Sequence, residues 1–270
     1  MNAQAPLQIN AVKIVGAGLI GTSIGLALAQ QGVSITIEDA DEKALALARD
    51  LLAPYIKASG GEKKEFDLVV IATPPASVIG ALKSEFVINP KSVFIDVSSV
   101  KTNLIHEIEV LPALSQSFVG THPMAGREVS GASSAQADLF NGRAWIITPT
   151  SNSSDLAIAI AKQLIKALGA SSYEMNAQDH DHLMARISHL PQIASTLIAS
   201  EIQELGAGFE LSGQGLRDMT RIAGSDPLLW SEILLENKKE VINTLDQFIS
   251  RALALKGAIS DSKQDEIEAI

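Results

Sequence analysis

The chain has 270 residues, 46% hydrophobic but only 4% aromatic, so it can bury a large and mainly aliphatic core. Its formal net charge of −10, with no basic block, argues against nucleic acid or an anionic membrane surface as a partner. It has no cysteine, which excludes disulfides, thiolate metal sites and cysteine nucleophiles. No apolar run reaches the roughly 18 residues of a membrane span, and residues 1–10 lack a signal-peptide pattern, so a soluble cytoplasmic protein is expected.

The first element is an apolar run at residues 12–15. Gly16, Gly18 and Gly21 follow it as G-x-G-x-x-G, directly before a helical pattern at Ile24, Leu26, Ala27 and Leu28. Strand, glycines and helix in that order make a dinucleotide fingerprint. Gly16 serves the tight turn, Gly18 lets a pyrophosphate approach the backbone, and Gly21 lets helix and strand pack closely. The helix start at Leu19 and Ile20 offers N–H groups and a positive dipole end to phosphates. A second strand at 33–37 ends in Glu38-Asp39, and Asp39 lies 18 residues after Gly21. A carboxylate there accepts hydrogen bonds from the adenosine ribose hydroxyls and repels a 2′-phosphate, which favours NAD over NADP. Asp39 is the favoured acid of the two.

An amphipathic segment follows at 41–52. Residues 66–72 read as a buried parallel strand closed by Thr73-Pro74-Pro75, and Thr73 and Pro74 are further cofactor-binding candidates. A helix is expected at 77–84, a buried strand at 92–97 and a helix at 102–111. A short strand at 118–120 leads to Thr121-His122-Pro123. Residues 144–148 form a strand closed by Pro149, 155–168 a helix ended by Gly169, and 171–175 a last strand. This βα repetition predicts an α/β, Rossmann-type, doubly wound parallel sheet over residues 1–175. From 176 to 270 the pattern is helical, with long helices at 179–204 and 226–255 and Pro227 in a first turn. This second domain is too short to enclose a core and is expected to complete it against a second copy, as a homodimer. Residues 259–270 are polar and expected to be loose.

Reactive groups of such folds gather at the carboxyl ends of the strands. One strand ends in Asp96-Val97-Ser98-Ser99-Val100-Lys101, where Ser99 or Thr102 equally suits a plain helix cap. Pro123 pushes His122 into an extended conformation, and a neutral imidazole there suits a general base near pH 7. A histidine bonded to a neighbouring loop is the plainer reading. In the helical part, His182, Arg186 and His189 stand at i, i+4 and i+7, one helical face. A metal site is disfavoured, because the spacing is not H-x-x-x-H and no thiolate exists. Pro191 removes the partner of the Ile187 carbonyl and kinks the helix. Arg217 and Asp218 are expected to pair. Arg221 sits between apolar residues and needs a carboxylate, from the protein or from a substrate. Trp230 by itself reads as core.

Together these motifs resemble the prephenate/arogenate dehydrogenase family of tyrosine biosynthesis. The resemblance runs over about residues 12–248. It rests on the fingerprint, Asp96-x-x-Ser99-Val100-Lys101, Gly120-Thr121-His122-Pro123-Met124-x-Gly126, His180-Asp181, Ser188-His189-Leu190-Pro191, and Arg217-Asp218-x-Thr220-Arg221-Ile222-Ala223-x-Ser225-Asp226-Pro227. It implies oxidative decarboxylation of prephenate to 4-hydroxyphenylpyruvate with reduction of NAD, or of arogenate to tyrosine. His122 then matches the catalytic histidine, and Ser99 the serine that hydrogen-bonds the same hydroxyl and helps orient it. Arg221 matches an arginine that binds a substrate carboxylate, His189 a pocket histidine, and Trp230 a tryptophan near the pocket. The family's helical domain forms the dimer. Members acting on prephenate often carry a second histidine where this chain has Gln192, which offers donor and acceptor without charge near the substrate side chain and keeps arogenate open. A β-hydroxyacid or imine-type dehydrogenase would rely on a lysine such as Lys238 or Lys239 and leave Thr121-His122-Pro123 unexplained. A nucleotide-sensing module would need no base at a strand end.

Overall fold

Short, branched apolar runs alternate with amphipathic helices in the computed structural model, which describes residues 9–55, 65–126, 131–203 and 211–270. In chain order they are β1 (Ala11–Val15), α1 (Leu19–Gln30), β2 (Ser34–Glu38), α2 (Glu42–Leu52), β3 (Leu68–Ile71), α3 (Val78–Ile88), β4 (Val93–Asp96), α4 (Thr102–Glu109), α5 (Pro112–Ser117), β5 (Phe118–Pro123), β6 (Ala144–Pro149), α6 (Asp155–Ala167) and β7 (Ser171–Glu174). The strands lie in the order β2-β1-β3-β4-β5-β6-β7. The chain moves to one side of β1 and then to the other, which makes the sheet doubly wound and leaves a crevice at the carboxyl ends of β1 and β3.

The strand side chains alternate between faces. Leu68 and Val70 join Ile14, Leu28, Ile35, Leu164 and Trp145 on one face, and Val69 and Ile71 join Phe94, Ile105, Ile108 and Phe118 on the other. Both faces are covered, so β3 and β4 are buried at every residue, as parallel strands between two helical layers must be.

The all-parallel expectation is corrected at the end of the sheet. β1 to β5 are parallel, but β6 runs antiparallel to β5 and carries β7 parallel to itself. A parallel step needs a crossover, usually a helix. The described part of the β5–β6 connection holds instead a short 3₁₀ turn, Ala132–Ser134. Two local expectations also shift. The helix at 102–111 stops at Glu109, and Pro112, good at a first turn, opens α5. β5 continues through His122 to Pro123, which sits at the strand's end, where a missing N–H costs least.

The remaining elements are α7 (Ala177–Met184), a π turn (Ala185–His189), α8 (Leu190–Gln203), α9 (Gln214–Thr220), a 3₁₀ turn (Arg221–Gly224), α10 (Pro227–Glu236), α11 (Lys238–Ser260) and α12 (Gln264–Glu268). Contacts divide the chain into two compact units, Met1–His180 with Ser225–Ile233, and Asp181–Gly224 with Leu234–Ile270. The helix expected over 179–204 is interrupted by the π turn, which lies directly before the proline that cannot serve the Ile187 carbonyl. The wide turn rotates the residues after it, so the expected shared face is lost: His182 and Arg186 are exposed and His189 is buried. The helix expected over 226–255 breaks at Asn237. The tail expected to be loose is helical, with Lys263 pairing with Glu266 at 3.1 Å. Residues 1–8 and Glu204, on which two of the expectations touch, lie outside the described residues.

Candidate functional site

The turn after β1 is shaped by what cannot fit there. Gly16 has φ +113°, and a Cβ on it would overlap the Ala72 carbonyl at the end of β3. A Cβ on Gly21 would overlap the Gly16 carbonyl. Gly18 differs: a Cβ there would meet nothing within 4 Å, so the turn opens onto free space. α1 begins at this opening with no side-chain cap and no acid in its first turn, which leaves the N–H groups around Leu19 and Ile20 as the donors of an uncapped helix start.

The acids at the end of β2 have separate partners. Glu38 pairs with Lys13 at 2.9 Å, and Lys13, nearly buried, also pairs with Glu85 at 2.8 Å. Burial alone would lower the pKa of Lys13, but its hydrogen bonds to the two carboxylates outweigh that and raise it. Asp39 turns instead to the glycine loop, accepting from the Ala17 N–H at 2.6 Å and the Asp41 N–H at 2.8 Å. Beside Gly16, the Thr73 hydroxyl is buried with no hydrogen-bond partner among the described residues, and the exposed Pro74 leads into the next turn. A turn with glycines at 16 and 18, a helix start, a carboxylate just past the adjacent strand and an unsatisfied hydroxyl are together a fit for a dinucleotide.

A second cluster joins the ends of β4 and β5. Asp96 is wholly buried and pairs with the wholly buried Lys101. One carboxylate oxygen accepts the Thr121 N–H at 3.1 Å, the other the Ser98 N–H at 2.9 Å, and the Thr121 hydroxyl donates to the Asp96 carbonyl at 2.6 Å. Lys101 also donates to the Ser98 hydroxyl at 2.9 Å. This network pins β5 to β4 one residue before His122. The His122 Nδ1 lies 2.9 Å from the Nε2 of the fully buried His180, with the rings 64° apart. His180 is placed by the start of α7, where its N–H donates to the Asn176 carbonyl and Asn176 Oδ1 caps Asp179 at 2.8 Å. The plain capping role considered for Ser99 and Thr102 is absent: Lys101 is the N-cap of α4, with no side-chain cap bond, and the Thr102 hydroxyl donates to the Ala177 carbonyl at 3.2 Å. Ser99 is half-buried on the same loop. A group that meets His122 Nδ1 is therefore His180.

In the helical unit, His189 is buried, and its Nδ1 lies 3.2 Å from Asn237 Nδ2, which also donates to the Asp181 carbonyl at 2.8 Å. Gln192 donates to the Ile222 carbonyl at 2.9 Å and so holds the 3₁₀ turn that begins at the exposed Arg221. The expected Arg217–Asp218 pair gives way to a bond from Gln214 to Asp218 at 2.8 Å, because adjacent residues point to different sides of a helix. His182 meets Glu240 at 2.9 Å, a hydrogen bond that holds the Glu240 carboxyl below its usual range. Trp230 is half-buried on α10, in the part grouped with the sheet, and Asp226 caps that helix at the Leu228 N–H, 2.8 Å away. Among the described residues no group of three or more His, Asp or Glu is placed to hold a metal ion, and no helix is long and apolar enough to cross a membrane.

The family model described as "Prephenate dehydrogenase, nucleotide-binding domain" matches residues 24–174, and that described as "Prephenate dehydrogenase, dimerization domain" matches 176–270. This chain belongs to the prephenate dehydrogenase family. A probable prephenate dehydrogenase, NovF, of Streptomyces niveus is 34% identical over 89% of this chain, which spans 66% of that protein's length. A cyclohexadienyl dehydrogenase of Zymomonas mobilis is 31% identical over 94% of this chain and 90% of its own. The crystal structure of prephenate dehydrogenase from Aquifex aeolicus, in complex with hydroxyphenyl propionate and NAD+, superposes with a TM-score of 0.87 at 28% identity, covering 98% of this chain and 96% of that one.

Within this family frame, two residues of the site escaped the sequence reading. His180 stood in a motif but received no role, and its partner lies 58 residues away. Asn237 left one signal, a polar residue in the middle of a long helical pattern, which the periodicity passed over.

Proposed function

We propose that the chain catalyses NAD-dependent oxidative decarboxylation of prephenate to 4-hydroxyphenylpyruvate, with arogenate as the competing substrate. The observation that carries this is His122, held at a strand end by the buried Asp96–Lys101 network and backed by His180. Gly16, Gly18, Leu19, Ile20, Gly21, Asp39, Thr73 and Pro74 would hold NAD, which would supply the hydride acceptor. When His122 donates its Nδ1–H to His180, its Nε2 lone pair takes the C4 hydroxyl proton as hydride leaves that carbon. The ring carboxylate departs as CO2, the ring becomes aromatic, and return of the proton to the phenolate balances the charge. Two imidazoles this close strongly disfavour a second positive charge, which keeps one ring in its proton-accepting form.

Ser99 would hydrogen-bond the same hydroxyl, Arg221 would bind a substrate carboxylate, and His189 and Trp230 would line the substrate. Gln192 supports this reading less directly, since its amide N–H is engaged by Ile222 and steadies the turn that starts at Arg221. Replacing Arg221 by alanine should raise KM for the substrate by roughly ten- to a hundredfold, leaving NAD affinity unmoved. The proposal includes a cytoplasmic location and a homodimer formed through the helical unit. The dimer is supported by the dimerization-domain match and by exposed Ile242, Phe248, Ile249 and Leu253 on α11.

The test is reduced-cofactor formation with prephenate or arogenate, each with NAD or NADP. Turnover with prephenate and NAD is expected. Silence in all four, with NAD still bound, would defeat the proposal, and a preference for arogenate would move it to the competing substrate.

A further inference from the structure

We infer that Asn237 is a positioning residue that sets the tautomer of His189, making this buried imidazole a hydrogen-bond donor. Its bearing on catalysis rests on the reading above, in which His189 lines the substrate. Asn237 is 4% exposed and separates α10 from α11. Asparagine is a poor choice for a buried position in a long helical pattern unless its amide has work to do.

The bonding logic leaves one arrangement. The Asp181 carbonyl only accepts, so the Asn237 group 2.8 Å from it must be the NH2. The same nitrogen lies 3.2 Å from His189 Nδ1. An amide NH2 has no lone pair to offer, so Nδ1 must present its own, and the ring proton sits on Nε2. A proton on Nδ1 would set two N–H groups against each other. His189 is 1% exposed, which further penalises the imidazolium. The contact with Asn237 thus places the ring's donor on Nε2. A donor of this kind suits a carboxylate or keto oxygen and is mismatched to an ammonium group, so the Asn237–His189 pair favours a keto acid over an amino acid wherever the substrate side chain meets it.

The experiment is long-range 15N–1H spectroscopy of the whole protein with labelled histidine, His189 being assigned by the signal lost in His189→Gln. The wild type should show the Nε2–H pattern. Asn237→Asp puts an acceptor against Nδ1 and should move the proton there, and Asn237→Ala should leave a mixture of tautomers. KM for prephenate should rise roughly ten- to a hundredfold in Asn237→Asp, with kcat changed less. A wild-type His189 protonated on Nδ1, or a pattern indifferent to both substitutions, would overturn the inference. A tautomer that moves while KM for prephenate stays fixed upholds the role of Asn237 and refutes the place of His189 at the substrate. If Asn237→Asp fails to fold by circular dichroism, the wild-type spectrum and Asn237→Ala still decide the question.

Discussion

In the sheet-bearing unit, aliphatic layers cover both faces of the sheet, and the polar residues at its strand ends are buried and bonded from several sides. In the helical unit, the buried apolar residues among those described are Met184, Ala185, Val241 and Ala258, while Leu235, Ile242, Phe248, Ile249, Leu253 and Ile259 are exposed. The first unit can hold a charged network rigid because its core stands on its own. The second has the composition of half a core, and its buried polar side chains, such as Asn237 and Gln192, bridge one helical segment to another. Chemistry that needs a fixed base suits the first, and recognition that depends on assembly suits the second.

The largest expected effect lies in the rigid unit. His122→Asn should lower kcat by roughly 10²- to 10⁴-fold while leaving NAD binding intact, as titration of cofactor fluorescence would show. An unchanged kcat would remove His122 from the chemistry. Lys101→Met leaves the Asp96 carboxylate buried without its ammonium and should cost about 3–5 kcal/mol of unfolding free energy, read from urea denaturation. A loss below about 1 kcal/mol would mean that the pair is not what pins β5.

The helical unit should answer to interface changes instead. Leu253→Asp should forfeit about 1.5–3 kcal/mol of burial per side chain and shift the solution mass from two chains toward one in light scattering. A wild type already monomeric at the same concentration would contradict the half-core view. The smallest effect belongs to the surface of α11. Glu240→Gln breaks a partly exposed pair and should cost no more than about 0.5–1 kcal/mol. His182 depresses the Glu240 pKa, so the stabilisation is present above the unfolded carboxylate value near about 4.3 and is lost as pH falls through the lower folded value. The stability gap between wild type and variant should therefore close in acid, and a gap that widened there would reverse the assignment.

How far the chain can be read residue by residue depends on the range of the interaction. Gly16, Gly18, Gly21 and Asp39 were legible because a strand, a turn and a helix start are local: Gly16 and Gly21 answer steric demands of the surrounding backbone, and Gly18 leaves the turn open. The helical character after residue 175 followed from periodicity, and Pro191 announced a disturbance in its helix. Its form, a π turn that buries His189 and exposes His182, was not legible, since periodicity assumes a constant turn. The reversed direction of β6 goes with a connection whose described part holds only a short 3₁₀ turn. The pairs His122–His180 and His189–Asn237 span 58 and 48 residues and exist only because packing brings them together. The sequence by itself determined the nucleotide turn, the α/β-then-helical order and the candidate base, because local sterics and apolar periodicity suffice for those. Tertiary structure alone decided which histidine backs that base, which amide orients His189 and which way the last strands run, because hydrogen-bond partners far apart in the chain leave no pattern in it.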